Sequence, residues 1–178
     1  PVASRSTSRL LSRFSRARRS RRISSDGSAL PFEENIAKTA EVVAYAHQRG
    51  VWVEAELGSI PGLEDTVFST ETKYTDPAQA AEFIRRTGCD SLAVAVGTAH
   101  GGVRAKEHLK VDYALLERIR DAVGGTPLVL HGAAALPEES VELANRYGGK
   151  VEHLMMCTEE TIAETRLHGV AKANMDVD

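Results

Sequence analysis

Three side chains able to bind a metal ion close three apolar runs of this sequence. Asp90-Ser-Leu-Ala-Val-Ala-Val-Gly-Thr-Ala-His100-Gly101-Gly102 carries an uncharged stretch, 91–99, immediately before His100. Pro127-Leu-Val-Leu-His131-Gly132 repeats the plan, and Val51-Trp-Val-Glu-Ala-Glu56-Leu-Gly58 ends a third run with Glu56. Apolar runs bounded by Gly and Pro read as strands buried on both faces, the pattern of parallel sheets. In such sheets and barrels, sites are built at the C-terminal ends of the strands. Two imidazoles and a carboxylate converging there suit Zn²⁺ or a similar ion. A lone strand-end histidine is more often a hydrogen-bonded core residue; recurrence on successive strands weakens that alternative.

The elements that must position these residues alternate strand with helix. Apolar residues at 32, 36, 40, 43 and 44 predict a helix over Phe32–Gln48, followed by a strand over 51–56. Residues 59–73 form a polar connection, longer than most strand–helix loops and so a candidate functional loop. Asp76-Pro77-Ala-Gln79 reads as a helix start, with Asp as cap and Pro in the first turn. Asp112 caps the next helix, 137–147 reads as another, Thr158 caps a last one reaching Leu167, and a short strand begins at Val170. This rhythm predicts an α/β fold with parallel strands and right-handed crossovers. Ligands at many strand ends favour a (β/α)8 TIM-type barrel, here incomplete, over an open sheet. No glycine-rich nucleotide-binding motif is present.

Composition narrows the class. The chain has 178 residues, 42% of them hydrophobic, which suits one globular domain. No apolar run is long enough for a membrane span. Two cysteines cannot build a disulfide framework, so a cytoplasmic location is expected. The formal charge of −3 hides a split: residues 1–23 carry eight Arg and no acidic residue, and the rest is acidic. Residues 1–22 are therefore expected to lie outside the fold. They read as a basic arm for nucleic acid, as a transit-type presequence, or as a disordered or frame-shifted passage.

Residues 23–178 resemble the class II, metal-dependent ketose-bisphosphate aldolases, the family of fructose- and tagatose-bisphosphate aldolases. The resemblance rests on Asp26-Gly-Ser-Ala-Leu-Pro-Phe-Glu-Glu-Asn-Ile36, Val53-Glu-Ala-Glu-Leu-Gly58, Tyr74-Thr-Asp-Pro77, Val96-Gly-Thr-Ala-His-Gly101, Leu128-Val-Leu-His-Gly132 and Gly169-Val-Ala-Lys-Ala-Asn174, in that order. It implies a TIM-type barrel and a zinc-dependent lyase. The reaction implied is reversible cleavage of fructose or tagatose 1,6-bisphosphate to dihydroxyacetone phosphate and glyceraldehyde 3-phosphate. His100 and His131 match zinc histidines, Glu56 a glutamate near the metal, and Asp26 an aspartate of an alternative metal position. Gly101, Gly132, Ala133 and Ala134 match backbone around the ketose phosphate. Asn174 and Asp176 match substrate positions on the last strand, and Glu64 matches a loop glutamate that moves a substrate proton. The partners implied are a phosphorylated sugar and, in the complete protein, further copies of the chain. A membrane partner is not expected, and nucleic acid is disfavoured.

The departures are specific. The family's His-x-Asp-His motif belongs before Asp26, where this chain has the Arg/Ser run with neither His nor Asp. His131-Gly-Ala-Ala-Ala135 lacks the serine of the usual His-Gly-x-Ser-Gly, and Pro61-Gly62 replaces the usual Gly-Gly. These departures support a second reading, a catalytically inactive truncated remnant. His47, His108, His153 and His168 read as solvated surface residues, and Cys89 as a core residue.

Overall fold

A computed structural model describes residues 21–60, 62–64, 67–69, 73–99, 110–133, 138–149 and 157–174. Its centre is a parallel sheet of five strands: β1 (Arg22–Ser25), β2 (Trp52–Leu57), β5 (Ser91–Val94), β6 (Leu128–Leu130) and β7 (Val170–Ala173), side by side in that order. Each strand thus pairs with its predecessor in the sheet across a helical crossover, as consecutive units of a (β/α)8 barrel do. β1 opens at Arg22, which stands opposite Trp52, so the last residue of the Arg/Ser-rich stretch already belongs to the sheet.

The crossovers are helices because their apolar residues recur on one face. Helix α1 (Phe32–His47) buries Ile36, Val43 and Ala46; α2 (Pro77–Thr87) buries Ala80 and Phe83; α3 (Tyr113–Ala122) buries Leu115, Leu116 and Ile119. The expected caps form: Asp76 accepts from the Gln79 amide at 2.9 Å and Asp112 from the Leu115 amide at 2.8 Å. Helices α4 (Glu138–Arg146) and α5 (Glu159–Thr165) follow. Thr158 caps α5 as expected, and a short 3-10 turn over Arg166–His168 delivers the chain to β7.

Strand periodicity sorts the side chains. Val53, Ala55 and Leu57, with Leu92, Val94, Leu128 and Leu130, join the helices in one apolar core. Their neighbours in sequence face the other side: Glu54 stands beside Ser91, Glu56 beside Ala93, and Ala93 beside Val129. Between Leu128 and Val129 the register with β7 shifts, so that Val129 faces Lys172. Without that irregularity Ala171 would occupy the place. The bulge therefore turns Lys172, and Asn174 two residues on, to the face that carries Glu54, Glu56 and His131.

Two expectations need correction. The connection over 59–73 holds a two-stranded antiparallel hairpin, β3 (Gly62–Glu64) and β4 (Val67–Ser69), with Leu63 opposite Phe68. Its base is fixed where Ser59 and Lys73 exchange backbone bonds of 2.9 and 3.0 Å. The strand leading to His100 ends its ladder at Val94, and residues 95–99 continue beyond it.

Candidate active site

His131 follows β6 directly and is 6% exposed. Its ring lies between two carboxylates of β2: Nδ1 is 2.7 Å from Glu56 Oε2, and Nε2 is 3.2 Å from Glu54 Oε1. Both carboxylates are almost wholly buried. Asn174, just past β7, places Nδ2 3.1 Å from Glu54 Oε1 and 2.8 Å from His131 Nε2. Lys172 Nζ donates to Glu54 Oε2 at 2.7 Å, and Arg22 Nη1 lies 3.6 Å from the same oxygen. Behind the site, Asn35 of α1 donates to the Glu56 carbonyl at 3.0 Å and accepts from Thr39, which ties the end of β2 to the helix layer.

The charges explain one another. Burial disfavours a charged His131 ring, but its bonds to Glu54 and Glu56 outweigh that and raise its pKa from 6.5 to about 9. Burial also opposes ionisation of Glu54, yet hydrogen bonds from His131, Lys172 and Asn174 hold its carboxyl down at about 2. With the ring charged, Nδ1–H donates to Glu56 and Nε2–H to Glu54. When the ring is neutral with its proton on Nδ1, Asn174 donates to Nε2 instead. Asn174 is thus placed to take over the nitrogen that loses its proton.

Of the residues the sequence singled out, the fold brings together His131, Glu56 and Asn174. Gly132 and Ala133 continue the same strand end. Gly132 has φ +62, and a Cβ there would stand 2.7 Å from the Ala99 carbonyl, so the ends of β5 and β6 approach closely. Asp26 lies just past β1, exposed, its Oδ1 accepting from the Ser28 amide at 2.8 Å. Glu64 ends β3 in the rim hairpin. His100, Gly101, Ala134 and Asp176 lie outside the described residues, as do His108 and His153. His47 is exposed as expected but bound to Asp90 Oδ2 at 2.8 Å. His168 is only partly exposed: it bonds Glu117 at 2.9 Å and lies against the Tyr113 ring. Cys89 and Cys157 are both buried and free.

Sequence reasoning missed Glu54, Lys172 and Arg22. The available signal was period two: Glu54 precedes Glu56, and Lys172 precedes Asn174, by one repeat. Thr98, beyond β5, buries its hydroxyl with no hydrogen-bond partner among the described residues. The imidazole and carboxylates are donors of the kind zinc takes. Among the described residues, no three His, Cys, Asp or Glu side chains are gathered to hold a metal ion.

The sequence profile of the class-II fructose-bisphosphate aldolases matches residues 19–178. A fructose-bisphosphate aldolase of Giardia intestinalis is 43% identical over 155 residues, which is 86% of this chain and 47% of that protein. The crystal structure of a Coccidioides immitis protein, described as a candidate fructose-1,6-bisphosphate aldolase, superposes with a TM-score of 0.66 at 36% identity. That match covers 86% of this chain and 47% of that one. The YdjI aldolase of Escherichia coli K12 superposes with a TM-score of 0.56 at 38% identity, covering 86% and 44%. The chain spans about half the length of the relatives it matches. Sequence profile and superposition agree, and the chain belongs to the class-II fructose-bisphosphate aldolase family.

Proposed function

We propose that this chain carries part of an active site for the reversible cleavage of fructose or tagatose 1,6-bisphosphate to dihydroxyacetone phosphate and glyceraldehyde 3-phosphate. The observation that carries the reading is the buried His131 between Glu56 and Glu54 at the C-terminal rim of a parallel sheet. A carboxylate on one ring nitrogen fixes the tautomer and orientation of a metal-binding histidine. Glu56 meets Nδ1 and Glu54 meets Nε2, so a metal ion on the ring would take the place of one of these contacts.

In this reading His131 and His100 hold Zn²⁺, with Glu56 orienting His131 and Asp26 serving an alternative metal position. Zinc held there would supply Lewis-acid polarisation of the ketose carbonyl. The chain's own groups do the rest. Backbone at Gly101, Gly132, Ala133 and Ala134 takes the phosphate, Asn174 and Asp176 orient the sugar, and Glu64 moves a proton as general base. The working protein is a cytoplasmic homo-oligomer acting on phosphorylated sugars, and the free thiols of Cys89 and Cys157 suit a reducing compartment.

Catalytic zinc normally has three protein ligands and an open position. The sequence offers two strand-end histidines, and the Arg/Ser run has neither the third nor the expected aspartate. We therefore expect the chain as written to cleave either sugar bisphosphate at or near the background rate. The experiment is an aldol-cleavage assay with zinc, on this chain and on a form in which residues before Ile23 are replaced by barrel strands ending in His-x-Asp-His. The grafted form gains zinc-dependent turnover, and His131→Ala abolishes it. A grafted protein that folds and binds zinc stoichiometrically yet cleaves neither sugar would falsify the assignment.

A further inference from the structure

We infer that Glu54 is a positioning residue of this site, holding His131, Asn174 and Lys172 in register with one another. The inference rests on the proposed function for what the site receives, but its geometry stands alone. Glu54 is 1% exposed and ends at no surface. Its Oε1 faces both His131 Nε2 and the Asn174 amide, at 3.2 and 3.1 Å. Its Oε2 faces Lys172 at 2.7 Å and Arg22 at 3.6 Å. The carboxylate thus joins three strands: β1 through Arg22, the end of β6 through His131, and β7 with its following residue through Lys172 and Asn174. Burying a carboxylate costs several kcal/mol unless it is fully paired, so an apolar side chain would serve the core better. What the carboxylate adds is direction. Lys172 and Asn174 both donate to Glu54, and Asn174 also reaches the histidine whose other nitrogen Glu56 holds. The bulge that turns Lys172 and Asn174 inward gives these residues a partner to meet. Lys172 keeps a third of its side chain exposed while its ammonium meets the buried Glu54 carboxylate at 2.7 Å.

The test uses the ¹⁵N-labelled chain and Glu54→Gln, which keeps the shape and removes the charge. The readouts are the ring ¹⁵N shifts of His131, the side-chain NH2 resonances of Asn174, the thermal midpoint, and the affinity for dihydroxyacetone phosphate. We expect Glu54→Gln to move the His131 and Asn174 signals and to weaken dihydroxyacetone phosphate binding about tenfold or more. Unmoved ring and amide signals with only a lower thermal midpoint overturn the inference, since a purely structural carboxylate would give that result. If Glu54→Gln fails to fold, the double variant with Lys172→Met leaves no ammonium without its carboxylate partner, and the same signals decide. If the unaltered chain does not bind dihydroxyacetone phosphate, the affinity readout moves to the grafted form, whose failure to bind would count against the proposed function, while the His131 and Asn174 signals still decide the role of Glu54.

Discussion

The Thr98 hydroxyl is buried just beyond β5 without a hydrogen-bond partner among the described residues. Leaving such a group unsatisfied costs about 1–3 kcal/mol. Thr98→Val keeps the shape and removes that cost, so it should raise stability by about 1 kcal/mol, read as a higher urea midpoint at unchanged slope. A lower midpoint would mean that the hydroxyl is satisfied in solution. Individual residues were legible in the sequence where one position carried the signal. His131 and Glu56 stood out because each ends an apolar run. Glu54 did not, because its meaning comes from Lys172 and Asn174, which reach it only through tertiary pairing. A buried carboxylate inside a strand looks like an exception until its partners are known.

Elements defined by local chemistry were the easiest to read. Asp76, Asp112 and Thr158 each cap the helix that follows, because the interaction spans only three residues. The rim hairpin was hidden: its pairing joins two three-residue segments, too short to show a sustained alternation. The shift opposite Leu128 was equally invisible, since a bulge is a property of two strands together. Gly97 gives an element-scale prediction. It leaves the β5 segment at φ +111, where L residues rarely go, and a Cβ would run into the Lys110 carbonyl oxygen. Gly97→Ala should therefore cost about 2–4 kcal/mol through strain and overpacking together, measurable by chemical denaturation. A variant as stable as the parent would show that the 95–99 segment can shift away from residue 110.

At the scale of the whole molecule, the alternating pattern gave the parallel sheet and its order, because each strand meets the next one along the chain through a helix. The sheet's protection should follow that order. β5 is bonded on both sides, whereas β1 and β7 pair on one side only among the described residues. Amide exchange should be slowest at Leu92, Ala93 and Val94 and faster in β1 and β7. Equal protection across all five strands would point to an additional partner on the outer ones.

That strand order also bears on how the chain assembles during synthesis. Trp52 meets Arg22, Ser91 meets Glu54 and Leu128 meets Leu92, so each new strand docks on one already made. A nascent chain can extend its sheet one crossover at a time as it leaves the ribosome, with no early strand waiting for a distant partner. The ion pairs on Glu54 are the exception. That carboxylate emerges long before Lys172 and Asn174, and until they arrive it has only water, Arg22 and then His131 to face, so the buried network closes last.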